Sequence, residues 1–112
     1  MEKAIAYLFG NKIVGTVKLT NVDDYVFYEI DIKNLYSSDF VLELEGDIHI
    51  IDFSYLPILC NERIRLCFYS DVFLFYDLLD KKIFIKNRMN DIVADGNIIK
   101  VYPGKRFYSE DK

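Results

Sequence analysis

The sequence predicts an all-β domain, a sandwich or barrel of seven or eight short strands. Apolar and polar residues alternate with a period of two in several stretches, which is the pattern of half-buried strands. Short clusters of Asn, Asp and Gly separate these stretches, as turns do. No stretch carries a long helical repeat. We therefore expect a single domain over residues 1–112, with a core at about 4–104 and a polar tail that frays from Lys105.

The first three strands have the clearest patterns. Ala4–Phe9 and Ile13–Thr20 flank Gly10-Asn11-Lys12, a short turn of the kind that joins the strands of a hairpin. After a turn at Asn21–Asp24, the segment Tyr25–Lys33 alternates without interruption. One face of that segment is predicted to be buried, and its residues are Val26, Tyr28, Ile30 and Ile32.

The second half of the chain divides into shorter pieces. Further strands are predicted at Phe40–Glu45, Ile48–Ile51, Ile64–Tyr69, Lys82–Lys86 and Asn97–Tyr102. Asn34–Asp39 and Arg88–Gly96 are predicted loops, and Asn61–Arg63 is a predicted turn. Asp71–Asp80 is open between a short helix and a strand with a turn, because its apolar spacing suits a helix while its aromatic content suits a strand.

Composition and charge exclude several classes of protein. Hydrophobic residues make up 52% of the chain and aromatic residues 16%, which is ample for a packed core. The formal net charge of −4 argues against a nucleic-acid binder, since such proteins usually show a basic face. No apolar stretch approaches the length of a membrane span, and the first residues do not form a secretion signal. A cytoplasmic protein is expected.

Few residues could carry metal or redox chemistry. The one histidine, His49, lies between Asp47 and Asp52. One imidazole with two carboxylates is too small and too hard a set for a structural zinc site, so a polar loop is the favoured interpretation. Cys60 and Cys67 are expected to be reduced, partly buried thiols, with a hairpin disulfide as the alternative. A Cys–His nucleophile is not favoured, because no positive setting that would lower a thiol pKa is expected beside either cysteine.

One long stretch resembles a known family. Tyr55–Ile92 opens with Tyr-Leu-Pro-Ile-Leu, continues through Phe-Tyr-Ser-Asp at 68–71, and reaches Ile-Phe-Ile-Lys at 83–86. This order is similar to the second half of bacterial copper-zinc superoxide dismutases, and Gly15-Thr16-Val17 resembles part of the family's first hairpin. The resemblance covers about residues 4–104. It implies an eight-stranded Greek-key sandwich or barrel in which imidazoles hold copper, and imidazoles with one Asp hold zinc.

The metal positions depart from the family pattern. The resemblance places Val41–Gly46 on the family's Phe-His-Ile-His-Glu-Gly motif, so Leu42 and Leu44 stand where two copper-binding imidazoles would be. Both are expected to be core residues, with Glu43 turned away, and Lys86 stands at the last copper-binding imidazole. Two vestigial zinc candidates remain, His49 and Asp52. Because copper redox sites use several imidazoles, we expect a degenerate bacterial member, a pseudoenzyme with no cofactor and no catalytic residue.

The favoured function is therefore a non-catalytic interaction or scaffold module without copper. The alternative is a residual zinc-binding or redox protein that uses His49, Asp52 and a cysteine, and a third hypothesis is a binder of a small apolar ligand in the emptied metal pocket. Nine Tyr and nine Phe exceed what one small core needs, so some rings should lie outside. Tyr25 and Phe27 share a strand face with acidic residues and are the interface candidates for a homodimer or protein partner, with edge pairing of Tyr25–Lys33 as one geometry.

Overall fold

Alternation and turn chemistry produce nine strands in the part of the chain that the structure describes. The structure is a computed structural model, and it describes residues 1–35, 39–55 and 63–102. The strands are β1 (Lys3–Gly10), β2 (Ile13–Val22), β3 (Tyr25–Lys33), β4 (Phe40–Leu44), β5 (Ile48–Asp52), β6 (Arg63–Ser70), β7 (Lys82–Asn87), β8 (Ile92–Asn97) and β9 (Ile99–Val101). A 3-10 turn (Phe53–Tyr55) follows β5, and a one-turn helix α1 (Phe75–Leu78) follows β6.

The strands form one curled antiparallel sheet, a half-barrel. Its order is β5-β4-β7-β8-β1-β2-β3-β6, and β9 pairs with β1 beside β8. The connections from β3 to β4 and from β5 to β6 cross between distant places in this order, which is the Greek-key feature of the sheet. The predicted all-β fold is confirmed. Among the described residues no helix is long or apolar enough to cross a membrane.

The first hairpin lies where the sequence predicted it, but its loop is one residue shorter than the predicted turn Gly10-Asn11-Lys12. Gly10 pairs with Ile13, so only Asn11 and Lys12 form the loop. Both have positive φ, 44° and 67°, which is the backbone of the hairpin turn whose twist matches that of the flanking strands. The β2–β3 hairpin also closes on two residues, with Val22 opposite Tyr25.

The core fills the concave side of the sheet. The predicted inner face of β3 is confirmed, since all four of its residues are at most 2% exposed. Leu42 and Leu44 of β4 are also buried, at 0% and 2% exposure. The one-turn helix α1 resolves the ambiguity in Asp71–Asp80, because Phe75 and Leu78 sit three residues apart and are both buried under the sheet.

The prediction of a loop over Arg88–Gly96 is wrong, because this segment contains β8. The turn is confined to residues before Ile92, and β8 pairs with β7 on one side and β1 on the other. The glycine is a packing residue. A Cβ on Gly96 would lie 1.9 Å from the backbone oxygen of Tyr7, so only glycine allows β8 to approach β1 this closely.

Some predictions fall on residues that lie outside the described ranges. These are the turn residues Asn61 and Glu62, residues 36–38 of the loop predicted at 34–39, Cys60, and the tail from Lys105. The predicted last strand is shorter than expected, since β9 spans only Ile99–Val101. Ile98, the residue between β8 and β9, is buried and bonded through its backbone to Lys81 and Asp80.

Candidate functional site

The sheet brings four charged or polar side chains together on the outer side of β4, β5 and β7. In β4, Leu42 and Leu44 face the core, so Glu43 faces the opposite side, as alternation predicts. Glu43 lies opposite His49 of β5, and Val41 lies opposite Lys86 of β7. Glu43 therefore has the His49 imidazole directly opposite it on β5. The Lys86 ammonium is its diagonal neighbour on β7.

The contacts within this group are short. Lys86 Nζ is 2.9 Å from Glu43 Oε1 and 2.9 Å from Asp47 Oδ1, and His49 Nε2 is 2.7 Å from Glu43 Oε2. The Glu43 and Lys86 side chains are only 7% and 10% exposed, whereas those of His49 and Asp47 are 64% and 86% exposed. We call Glu43, Asp47, His49 and Lys86 the ion-pair cluster. It has a buried inner pair and an exposed outer pair.

Electrostatics keep the inner lysine charged. The hydrogen bond that Lys86 donates to Asp47 raises the pKa of Lys86, and the Glu43 carboxylate adds to the effect. The same hydrogen bond lowers the pKa of Asp47. Glu43 Oε1 is buried, and the ammonium meets it as an ion contact that is poorly directed for a hydrogen bond. Lys86 Nζ also lies 5.9 Å from the centre of the Phe84 ring, within the range of a cation–π contact.

Two strand irregularities aim these side chains. The β4–β5 register shifts between Leu42 and Glu43, and the β7–β8 register shifts between Ile85 and Lys86. Bulges of this kind re-aim a side chain at a chosen point in a sheet. Asp47, in the β4–β5 turn, has a φ of 60°, a left-handed conformation that Asp tolerates better than most residues. Sequence reasoning missed the cluster, although a lysine ending an apolar strand and a Gly-Asp turn were its two visible signals.

The predicted metal candidates are each bound within the chain. His49 contacts Glu43, while Asp52 Oδ1 accepts hydrogen bonds from Ser54 N at 2.9 Å and Ser54 Oγ at 2.6 Å. The bonds from Ser54 lower the pKa of Asp52. Within residues 1–35, 39–55 and 63–102, no group of three or more His, Cys, Asp or Glu side chains is placed to hold a metal ion. Cys67 is exposed, so the expectation of a partly buried thiol is wrong for it, because it lies on the outer face of β6.

The interface candidates lie on the outer face of the other end of the sheet. Tyr25 is 49% exposed, and Phe27 is half-buried because its ring centre lies 4.7 Å from that of Tyr69 on β6. Tyr69, which sequence reasoning did not single out as part of this pair, is 62% exposed. Edge pairing of Tyr25–Lys33 is wrong, since β3 is bonded to β2 on one side and to β6 on the other. The strand at this end of the order is β6.

The outer face between β3 and β6 also carries an ion pair. Arg63 Nε lies 3.0 Å from Asp31 Oδ1, and Arg63 Nη2 lies 2.8 Å from Asp31 Oδ2, so the contact is bidentate. The Arg63 guanidinium lowers the pKa of Asp31, and Asp31 in turn raises that of Arg63. Unlike the inner pair of the ion-pair cluster, these side chains are 38% and 35% exposed.

Comparison with known proteins finds the fold but no sequence family. No protein-family model and no curated protein matches this sequence. Candida albicans superoxide dismutase 5 in its Cu(II) form is similar in structure, with a TM-score of 0.71 at 14% identity, covering 97% of this chain and 98% of that chain. A mutant of the same enzyme gives a TM-score of 0.72 at 14% identity, covering 97% and 96%. This chain therefore has the superoxide dismutase-like β fold.

The residues of this chain do not fit the copper that the fold implies. Leu42 and Leu44 have no donor atoms and point into the core. Lys86 is an ammonium with a raised pKa, and a protonated amine cannot ligate a metal. The single imidazole is His49, whose Nε2 is engaged by Glu43. The two carboxylates, of Glu43 and Asp47, thus already hold the Lys86 ammonium, and the one imidazole contacts Glu43.

Proposed function

We propose that this chain is a non-catalytic domain with the superoxide dismutase-like fold, an interaction module that binds no copper. The observation that carries the proposal is the position of the Lys86 ammonium, 2.9 Å from a carboxylate oxygen of both Glu43 and Asp47. The resemblance of the sequence aligns Lys86 with the last copper-binding imidazole of the family. A permanent positive charge at that point replaces a metal ligand with a competitor of the metal.

The energetics of the inner pair support this interpretation. Removing one partner of a buried ion pair leaves the other charge uncompensated, which is strongly unfavourable. A divalent ion entering the ion-pair cluster would have to displace Lys86 from Glu43 and Asp47 and leave its ammonium without them. Such an ion would gain only one imidazole in return, while copper that changes redox state favours several.

The interaction part of the proposal rests on the outer face of β3 and β6. Tyr25 and Tyr69 are exposed rings, Phe27 is a half-exposed one, and the bidentate Arg63–Asp31 pair lies on the same face. Aromatic side chains together with arginine are the residues enriched in protein interfaces. A face of this composition favours a protein partner over a small ligand.

Metal content and activity test the copper-free part directly. The protein is incubated with Cu²⁺ and Zn²⁺, dialysed, analysed for both metals, and assayed for superoxide dismutation. We expect neither bound metal nor activity. One equivalent of zinc that is lost in both His49→Ala and Asp52→Ala would replace this proposal with the residual zinc-binding alternative. Dismutation at a rate near that of an enzyme with this fold would overturn it outright.

A variant of the inner lysine sharpens the result. Lys86→Ala removes the ammonium and leaves the Glu43 and Asp47 carboxylates and the His49 imidazole facing a vacated space. We expect Lys86→Ala to bind Zn²⁺ measurably more tightly than the wild type in isothermal titration calorimetry. Lys82→Ala, on the same strand but outside the ion-pair cluster, is the matched control and should bind like the wild type. Equal zinc affinity in all three proteins would contradict the role given to Lys86.

A further inference from the structure

The last strand in the sheet order, β6, is bonded on one side only among the described residues. All eight of its residues pair with β3, from Arg63 opposite Lys33 to Ser70 opposite Val26. No described strand pairs with its other side. A strand in this position presents a row of backbone N–H and C=O groups that another strand can bond. We call this side of β6 the β6 edge.

Natural edge strands are often protected by proline, lysine, other charged side chains or a bulge. The β6 strand contains no proline and no lysine, and its register with β3 runs without a bulge over its full length, so its two arginines are its only such feature among the described residues. Its inner face is also incompletely covered. Leu66 and Phe68 are only partly buried, whereas Ile30 and Tyr28, directly opposite them on β3, are each 2% exposed. A further strand beside β6 would cover these two apolar side chains.

The sequence of β6 is complementary to itself in one antiparallel register. Opposite residues in an antiparallel pair share a face of the sheet, so a two-fold axis through Cys67 pairs each residue with one of the same orientation. In that register Arg65 faces the partner's Tyr69, and Arg63 faces the partner's Asp71. The first contact is a cation–π pair, and the second joins opposite charges at the rim.

The inner face matches in the same register. Leu66 lies opposite the partner's Phe68, so the apolar row continues across the junction. The neighbouring register, centred on Leu66, pairs Arg65 with the partner's Cys67 and leaves the exposed Asp71 beyond the paired segment. Charge complementarity therefore selects the register centred on Cys67.

We propose that two copies of this chain associate through their β6 edges, antiparallel about a two-fold axis at Cys67, so that one sheet continues through the dimer. The proposal rests on the interaction role given above and names a second copy as the partner. Tyr69 lies at the junction on the outer face, and Phe27 packs behind it on β3. A monomeric protein that binds no metal would overturn this inference and leave the copper-free proposal standing, so the two can fail separately.

Sedimentation analysis of reduced protein tests the association. We expect a reversible dimer whose dissociation constant rises at least about tenfold in Cys67→Lys, because the axis places the two new ammonium groups opposite each other. Val14→Lys is the matched control, since Val14 is an exposed outer-face residue of the interior strand β2. Circular dichroism checks that both variants keep the fold. A wild type that stays monomeric at about 1 mM, or a dimer that Cys67→Lys leaves unchanged, would overturn the proposal.

Disulfide trapping tests the register. Opposite residues in an antiparallel pair have Cα atoms about 4.5–5.5 Å apart, which is within the range that a disulfide bridges. In a Cys60→Ser background, diamide should oxidise the two Cys67 thiols to one intermolecular disulfide, while diamide takes up the two protons and two electrons. A Val14→Cys variant that lacks both native cysteines is the control and should remain uncrosslinked. Equal crosslinking through both positions would mean random collision and would contradict the register.

Discussion

The two ends of the sheet treat their charged and polar groups in opposite ways. At β4, β5 and β7, the ion-pair cluster holds the buried Glu43 carboxylate between the Lys86 ammonium and the His49 imidazole, all within one chain. At β3 and β6, the Tyr25 and Tyr69 rings and the Cys67 thiol are exposed, and the β6 edge is unpaired among the described residues. The polar side chains of the ion-pair cluster contact each other, whereas the rings and the β6 edge are exposed and could contact a partner. This difference is what we expect if the outer face of β3 and β6 carries the proposed interaction.

The largest expected effect comes from the core beneath the ion-pair cluster. Leu42→Ala should lower the free energy of unfolding by roughly 2–5 kcal/mol, because Leu42 is fully buried and the change leaves a cavity. Urea denaturation measures it. Val14→Ala, on an exposed outer-face position, should cost no more than about 0.5 kcal/mol. Similar losses for both substitutions would mean that the inner and outer faces of the sheet have been exchanged.

The next largest effect concerns the buried inner pair itself. Glu43→Ala removes the carboxylate that contacts both Lys86 and His49, and should destabilise the protein by about 2 kcal/mol, since Lys86 keeps only the exposed Asp47. The volume-conserving Glu43→Gln keeps a hydrogen-bond acceptor and should lose less. If Glu43→Ala left the free energy of unfolding unchanged in urea denaturation, the ion-pair cluster would not contribute to folding stability as this comparison requires.

The strands were predictable from the sequence, but the ion-pair cluster was not. Period-two alternation marks a face even in a short strand, which is why β3 and the two leucines of β4 were placed correctly. The cluster depends on two register shifts, and neither a shift nor a cross-strand neighbour has a local signal in one sequence. Glu43 was correctly expected to face away from the core, but alternation alone could not indicate that Lys86 and His49 would cover it.

The strand β8 was missed for a related reason. Asp95 and Gly96 have turn-like propensities, and only the close approach of β1 explains why glycine is required in that strand. The edge position of β6 likewise follows from the Greek-key order, which no local pattern reports. The sequence-based interface candidates, Tyr25 and Phe27, lie on β3, one strand inward from β6, whose other side pairs with no strand among the described residues.

A smaller effect should appear in acid at the exposed pair, Asp31 and Arg63. The pKa of Asp31 is lowered in the folded state by Arg63, so the pair adds stability above the unfolded pKa of about 3.9 and loses it as the pH falls through the folded pKa. For a pair this exposed the contribution is at most about 1 kcal/mol.

Urea denaturation between neutral pH and strong acid measures this contribution. Asp31→Asn should be less stable than the wild type at neutral pH, and the difference should close below the folded pKa of Asp31. The pKa of the Lys86 ammonium is shifted in the opposite direction from that of Asp31. Its raised pKa means that deprotonation removes its contribution in strong alkali, while protonation of its partner Asp47, whose pKa Lys86 lowers, weakens the same contact in acid. A difference between Asp31→Asn and the wild type that grows in acid would contradict the assignment.

The smallest expected effect on stability is at the exposed ring of β6, and there the comparison between the two ends of the sheet is most sensitive. Tyr69→Ala removes a side chain that is 62% exposed and contacts Phe27 at a ring distance of 4.7 Å. An aromatic pair is worth about 0.5–1.5 kcal/mol, and exposure places this one at the low end. If the outward end of the sheet serves a partner, the same substitution should weaken self-association more than it weakens folding, because each dimer loses two rings from its junction. Sedimentation and urea denaturation of one preparation measure both quantities.

Tyr7→Ala is the control, since Tyr7 is an exposed tyrosine on the interior strand β1 and lies away from the β6 edge in the sheet order. If Tyr69→Ala lowered stability without changing association, the role of Tyr69 would be to pack on Phe27 within one chain. That result would contradict the assignment of Tyr69 to a partner surface.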